Sequence, residues 1–381
     1  MKSLLIAGDL VPTESNIELF KKGDISKLLG NKLLSLWNSV DVRIFNLEVP
    51  ITDNEDPIAK CGPNLIAPAS TIKGIKALNP TLITLANNHI MDQGVQGLNS
   101  TRNILKKYKI PYVGVGDNLY EASKPYIINQ DGSQIGIYAC AEHEFSIAEE
   151  DNPGANPFDP LESLDHIYRL KKECDYVIVL YHGGKEHYRY PSPYLQKACR
   201  RMVEKGADLV ITQHSHCIGC FEEYKNSTII YGQGNFIFDM SNSEFWKTSL
   251  LIRVNINKDI HVDYIPIKKE GNGVRLAEGQ VAENILESFQ QRSREILQPS
   301  FVEQQYQKFA QENIDSYLRR FSGFGKWLSR IDRYLLKGIL LKKKYNKKQL
   351  LAIQNFIECE AHRELVIKGI SSIHRKKVMN K

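Results

Sequence analysis

The stretch QHSHCIGC at residues 213–220 sets His214 and His216 two residues apart and runs them into Cys217 and Cys220. Three chemistries suit those four side chains: a structural zinc knuckle, a redox dithiol, or half of a hydrolase's metal site with two bystander thiols. A zinc knuckle needs four ligands, commonly from two paired clusters, and the chain has no second Cys-x-x-Cys. A redox dithiol wants its first Cys at the opening of a helix, whereas Ile-Gly separates these thiols and FEEY follows them. The histidines have more company. Asp9, Glu48, Asn88, His89, Asp92 and His182 all stand at or just after apolar, β-rich runs. Metal-assisted phosphoester hydrolysis requires such oxygen and imidazole ligands, with positions left open for a water and a substrate oxygen. A binuclear site also needs a carboxylate to bridge its metals.

The elements that must bring these residues together are legible as alternation. Strand-like runs fall at 3–8, 42–46, 81–86, 134–140, 175–181, 207–213, 227–232 and 250–256. Helix-like stretches such as TIKGIKALN, GVQGLNSTRNILKKY and SPYLQKACRRMVEKG lie between several of them. This pattern predicts a layered α/β domain over about residues 1–275. The polar clusters sit where strands end, the side of an open α/β sheet on which ligands bind, so the sequence predicts that they converge on one site. After residue 280 the strand pattern stops, and residues 281–381 read as a helical appendage.

The segments AGDLV, NLEVPIT, TLANNHIMDQGVQGL, YHGGKEHYRYPSPYLQKACRRMVEKGADLVITQHSH and IIYGQGNFIFD resemble the successive motifs of the CapA family, the bacterial capsule and poly-γ-glutamate synthesis proteins. That family is similar in turn to the calcineurin-like metallophosphoesterases. The resemblance runs from about residue 3 to 265 and leaves out the tail. It implies a four-layer α/β/β/α metallophosphoesterase-like sandwich carrying one or two divalent ions, with Mn, Fe and Zn all compatible. Carried onto this sequence, it implies metal ligands at Asp9, Glu48, Asn88, His182, His214 and His216. His89 matches the histidine that assists the leaving group, with Asp92 as its partner. Glu186 fits the family's Gly-x-Glu element, and Glu186, Tyr188 and Asn235 are the expected substrate-face residues. Two departures stand out. Val11 occupies the position of a histidine in the phosphoesterases' first motif, and Glu48 replaces the usual bridging Asp, so one metal position is expected to lack an imidazole.

Composition sets the remaining bounds. The 381 residues are 42% hydrophobic and 25% charged, as in an ordinary globular protein with a sizeable core. Seven scattered cysteines argue against a disulfide framework. The opening MKSLLIAGDLV has too short an apolar run for a signal peptide, and no stretch approaches the length of a spanning helix, so the expected location is cytoplasmic or membrane-peripheral. Residues 281–381 carry 20 Lys/Arg against 10 Asp/Glu, a net +10 that leaves the first 280 residues at −4 of the chain's +6. Within FGKWLSRIDRYLLKGILLKKKYNKK, apolar residues recur at helical spacing among basic ones. Two readings fit: a helix lying on an anionic membrane, or one packed on the catalytic domain with a solvated charged face. No nucleic-acid-binding module is visible. Two functions are open: a hydrolase acting on an anionic capsular polymer or its precursor, or a non-catalytic metal-binding component of a polymer synthesis or export complex.

Overall fold

The computed structural model describes residues 2–130 and 132–379. Sixteen strands run through them in chain order: β1 Lys2–Val11, β2 Val42–Leu47, β3 Leu82–Thr84, β4 Tyr112–Val113, β5 Val115–Gly116, β6 Tyr126–Gln130, β7 Ser133–Ala141, β8 Gly154–Ala155, β9 Tyr176–His182, β10 Leu209–Gln213, β11 Ile218–Tyr224, β12 Ser227–Gln233, β13 Asn235–Phe238, β14 Thr248–Ile256, β15 Ile260–Glu270 and β16 Gly273–Leu276. Each of the eight runs singled out in the sequence overlaps a strand, the run at 81–86 only over Leu82–Thr84. Fourteen of the strands build two large sheets, one ordered β16-β15-β14-β1-β2-β3-β4 with β13 also paired to β1, the other β11-β12-β10-β9-β7-β6, while β5 and β8 pair with each other. Strands β1 to β4 are mutually parallel, as are β7, β9, β10 and β12, so the clusters that follow these strands gather at the carboxyl ends of the two sheets.

Side-chain alternation along the central strands explains how the sheets stack. In β9, Ile178 and Leu180 point into one apolar core while Val177, Val179 and Tyr181 point into another. In β1, Leu4 and Ile6 join the core shared with β9, and Leu5 and Ala7 face the opposite way. A strand buried on both faces needs cover on both. The shared core lies between the sheets. The outer face of the first sheet is covered by helices Ile17–Lys22, Ile25–Asn38, Ile72–Ala77 and Gly94–Lys107, through Phe20, Leu33, Trp37, Ile75 and Leu98. The outer face of the second is covered by Ser163–Glu173 and Pro193–Glu204, through Ile167, Leu170, Cys199 and Met202. The result is a four-layer α/β/β/α sandwich with three cores.

By compactness the chain forms two units, residues 1–303 and 304 onward. The helix Gly279–Glu295, which composition groups with the tail, lies in the first unit. Its Phe289 is fully buried in the inter-sheet core, against Phe221 of β11 and Tyr264 of β15. The second unit is helical, with Lys326–Tyr334, Ile339–Lys344, Lys347–Glu358 and Glu360–Met379 following the end of helix Phe301–Phe321. Among the described residues no helix is long and apolar enough to cross a membrane.

Candidate metal centre

Asp9 reaches the site because β1 is irregular there. Pairing with β2 passes from Ile6↔Ile44 directly to Asp9↔Asn46, so β1 carries one more residue than its neighbour. Strict alternation would send Asp9 to the helix-covered side with Leu5 and Ala7. The bulge turns it instead to the face of Ile6, a common use of bulges beside functional sites. At the other sheet, the turn after β10 holds His214 and His216 at φ 80° and 52°, left-handed values that cost about 1 kcal/mol or more each in a non-glycine residue. This backbone aims two nearby imidazoles at one place.

The residues that meet there are almost wholly withdrawn from solvent. Glu48, just past β2, is fully buried, with its Oε1 3.2 Å from His182 Nε2. That distance brings charge attraction, yet neither carboxylate oxygen accepts a hydrogen bond, and His214 Nδ1 also lacks a hydrogen-bond partner. Asp9 Oδ1 accepts from Asn46 Nδ2 at 2.8 Å and lies 3.7 Å from His182 Nδ1, while Asp9 Oδ2 is 3.6 Å from His216 Nδ1. Ligand atoms of Glu48, His182 and His214 lie within 4.8 Å of one another, as do those of Asp9, Glu48 and His216. Glu48 therefore belongs to both groups. A buried carboxylate without hydrogen bonds is costly in isolation, and a shared cation would satisfy it. Aspartate, glutamate and imidazole suit a divalent metal, so these residues fit the metal that the sequence implies.

Charge in the cluster is balanced by the histidines. Burial works against a charged His216, but Glu48 and the contact with Asp9 outweigh it and raise its pKa to about 9. His182 is raised too, burial being overcome by Glu48 and Asp9. Burial pushes the Asp9 carboxyl up, but His216 and His182 bring it below its ordinary value. His214 goes the other way: burial and the neighbouring histidines hold it well below 6.5.

A second line of groups approaches from the turn after β3. Asn87 ties this turn to β2, its Nδ2 donating to Asn46 Oδ1 at 3.1 Å and Leu47 O at 2.9 Å, while its Oδ1 accepts from the His89 amide. Asn88 Oδ1 is 3.0 Å from His182 Nε2, which puts the amide oxygen beside the buried cluster. His89 Nδ1 is 2.5 Å from Asp92 Oδ2. Asp92 is fully buried, accepts from the Leu65 amide and is ion-paired with Lys60, whose side chain is 2% exposed and whose Nζ lies 3.3 Å from His89 Nδ1.

A family model for the bacterial capsule synthesis protein PGA_cap matches residues 3–240. The chain belongs to this capsule synthesis family. It is 30% identical over 218 residues to the capsule biosynthesis protein CapA of Bacillus anthracis, a match covering 55% of this chain and 53% of that one. It is 32% identical over 193 residues to the PGA biosynthesis protein CapA of Bacillus subtilis (strain 168), covering 50% of each. The chain thus spans about half the length of the curated relatives it matches. Among solved structures it is similar to a hypothetical protein from Thermus thermophilus, at 13% identity and TM-score 0.46 over 70% of this chain and 100% of that one. It is also similar to a putative 5′-nucleotidase from Staphylococcus aureus, at 13% identity and TM-score 0.43 over 76% and 58%.

In this capsule synthesis family member the residues expected at the site fall into three places. Asp9, Glu48, His182, His214 and His216 form the buried cluster, with Asn88 against it. His89 and Asp92 form the adjacent dyad. Asn235, at the start of β13, sets its Oδ1 2.9 Å from His216 Nδ1 and so orients a ring of the cluster. Glu186 and Tyr188 lie half-buried in the loop after β9. Val11 is buried in the first core and offers no donor atom. Cys217 and Cys220 are buried, their thiols pushed up by burial, and neither joins a metal grouping among the described residues. Several site residues escaped the sequence reading. Asn46 bridges Asp9 and His182, and Glu144 Oε2 accepts from Asn88 Nδ2. Half-buried Glu142 is raised by desolvation despite the Gly184 amide at 2.9 Å. On the rim, His187 stacks on Phe245 and accepts from Trp246 Nε1, while the Trp246 ring lies 4.7 Å from that of His216. Asn46 had a sequence signal in its place at a strand end next to Glu48, and His187 had one in its place between Glu186 and Tyr188.

Proposed function

We propose that the protein is a metal-dependent hydrolase acting in the synthesis or processing of an anionic capsular polymer, either poly-γ-glutamate or a capsular polysaccharide. The observation that carries this reading is Glu48, a buried carboxylate with no hydrogen bond on either oxygen, shared by two groups of metal-compatible side chains. Asp9, Glu48 and His216 would hold one divalent ion and Glu48, His182 and His214 a second, with Asn88 Oδ1 beside the latter; Mn²⁺, Fe and Zn²⁺ suit the donors. When bound, such an ion supplies Lewis acidity and an activated water at neutral pH. The chain's own residues do the rest. Asp92 holds His89 through Nδ1, leaving Nε2 to give a proton to the departing oxygen or nitrogen. Asn46 and Asn235 fix Asp9 and His216, and Glu186 and Tyr188 would shape the substrate face. The proposed partner is the polymer or its precursor at the synthesis machinery, where the basic tail would bring the protein to the membrane surface.

A second reading, a non-catalytic metal-binding component of the synthesis or export complex, is favoured by one observation: Val11 supplies no imidazole beside Asp9. Elemental analysis of the purified protein tests what both readings share. Stoichiometric metal, lost in a His214→Ala, His216→Ala double variant, is the expected result, and metal-free wild-type protein would refute it. Turnover of phosphomonoesters, phosphodiesters or γ-linked glutamate polymer that falls about 10²–10⁴-fold in His89→Ala separates the enzyme from the component.

A further inference from the structure

The helix Lys326–Tyr334 is turned inside out. A helix on a globular protein normally points its apolar stripe at the core. Here Asp332 is the fully buried residue, ion-paired with Arg319 at 2.5 Å and accepting the Leu340 amide at 2.8 Å. Trp327, Leu328, Ile331, Tyr334 and Leu335, which share an arc of roughly 120° at helical spacing, are 77%, 41%, 41%, 72% and 74% exposed. Lys326, Arg330 and Arg333 flank that arc and are exposed as well. Gly338 at φ 84° then turns the chain into Ile339–Lys344, where Ile339 is again exposed and Leu341 is the buried residue. Exposed Lys342, Lys343, Lys344, Lys347 and Lys348 follow.

Two properties of this surface select its occupant. The first is sign. Residues 321–350 hold nine Lys/Arg and one acid, and that acid, Asp332, is buried and already paired, so every charge presented to solvent is positive. A second copy seated on the same face would bring like charges together, and lysines are depleted from the cores of protein interfaces. The second is side-chain type. A tryptophan, a tyrosine and branched aliphatics in one plane, ringed by long cationic stems, match the boundary between headgroups and acyl chains. There aromatic rings settle at headgroup level and lysine stems reach back to anionic phosphates. We propose that residues 326–348 dock the protein on a bilayer surface bearing anionic headgroups, lying in the interface without spanning it. The assignment does not depend on the metal centre.

The test is vesicle co-sedimentation of the full chain, using phosphatidylcholine alone and phosphatidylcholine with about one third phosphatidylglycerol. The protein is expected to pellet with the anionic vesicles, to be released by high salt, and to stay in solution with the neutral ones. Lys342→Gln with Lys343→Gln should weaken partitioning about thirtyfold, some fivefold for each charge, and Trp327→Ser with Leu335→Ser by at least about tenfold. The four side chains are exposed, so both variants should keep the wild-type circular dichroism and metal content, which separates this result from any failure at the metal centre. Failure to pellet, equal pelleting with both vesicle types, or an unaffected variant would overturn the proposal. So would a dimer abolished by Trp327→Ser with Leu335→Ser, which would assign the face to a second copy.

Discussion

Replacing Gly8 by Ala tests whether the close approach of β1 and β13 builds the metal centre. A Cβ on Gly8 would stand 2.0 Å from the carbonyl oxygen of Gly234, where real contacts essentially never fall below 3.0 Å. The obstacle is backbone, so no side chain can swing away, and the strands must part by about 1 Å. The consequence falls on the next residue. Asp9 pairs with Asn235 across this junction, and the two together hold His216, at 3.6 Å from Asp9 Oδ2 and 2.9 Å from Asn235 Oδ1. Forcing them apart loosens the ring from both sides. Overpacking of this kind costs about 1–3 kcal/mol, and loss of a ligand's supporting partner lowers metal affinity about 10–100-fold. The assay is paired: thermal unfolding after chelation, and metal affinity by competition with a chromophoric chelator. Gly325→Ala is the control, since a Cβ there meets nothing within 4 Å and φ is −61°. If Gly8→Ala melts with the wild type and binds metal equally well, the β1–β13 contact does not position the site.

The pH dependence of the metal-free fold follows from the histidines. The raised pKa of His216 stabilises the fold fully below pH 6.5 and is lost as pH rises through about 9, while the depressed His214 costs stability as pH falls below 6.5, because there the unfolded chain takes up a proton that the fold excludes. Urea unfolding of chelated protein should therefore give maximal stability near pH 6.5, falling above it by up to about 1.4 kcal/mol per unit for each such proton; a curve rising from pH 7 to 9 would contradict this. Lys60→Met leaves buried Asp92 with only His89 and the Leu65 amide as partners and should cost up to about 3 kcal/mol, most of it recovered in Lys60→Met with Asp92→Asn. Denaturant titration of Lys60→Met, Asp92→Asn and the double variant decides it, and additive losses would refute the pairing.

The central strands were legible because their burial on both faces produces apolar runs. Strands β6, β11, β13, β15 and β16 were not: β15, for example, mixes His261, Asp263, Lys268 and Lys269 into a largely half-exposed strand. The helix holding Phe289 was legible but its packing was hidden by its neighbours' polarity, since a single fully buried aromatic commits it to the inter-sheet core. At the site, ligands could be found because each follows an apolar run at a strand's carboxyl end. Lys60 could not, since it comes from a Pro- and Gly-containing loop with no periodicity, 29 residues before the His89 it approaches. Nor could the bulge at Asp9, which exists only in the pairing between strands.

The choice between enzyme and metal-holding component turns on what each group costs and what it can contribute. The missing imidazole falls on one of the two positions. Asp9, Glu48 and His216 offer two carboxylates and one imidazole, whereas Glu48, His182 and His214 offer two imidazoles and one carboxylate. A harder donor set still holds a divalent ion, so Val11 changes which metal is preferred at that position more than whether one is held. The Lys60–Asp92–His89 line is different. It buries an ion pair, which usually gains little against its desolvation, and neither Lys60 nor Asp92 belongs to a metal grouping among the described residues. Holding a metal does not require it. Orienting His89 through Nδ1 so that its other nitrogen can transfer a proton does require it, and that favours the hydrolase reading.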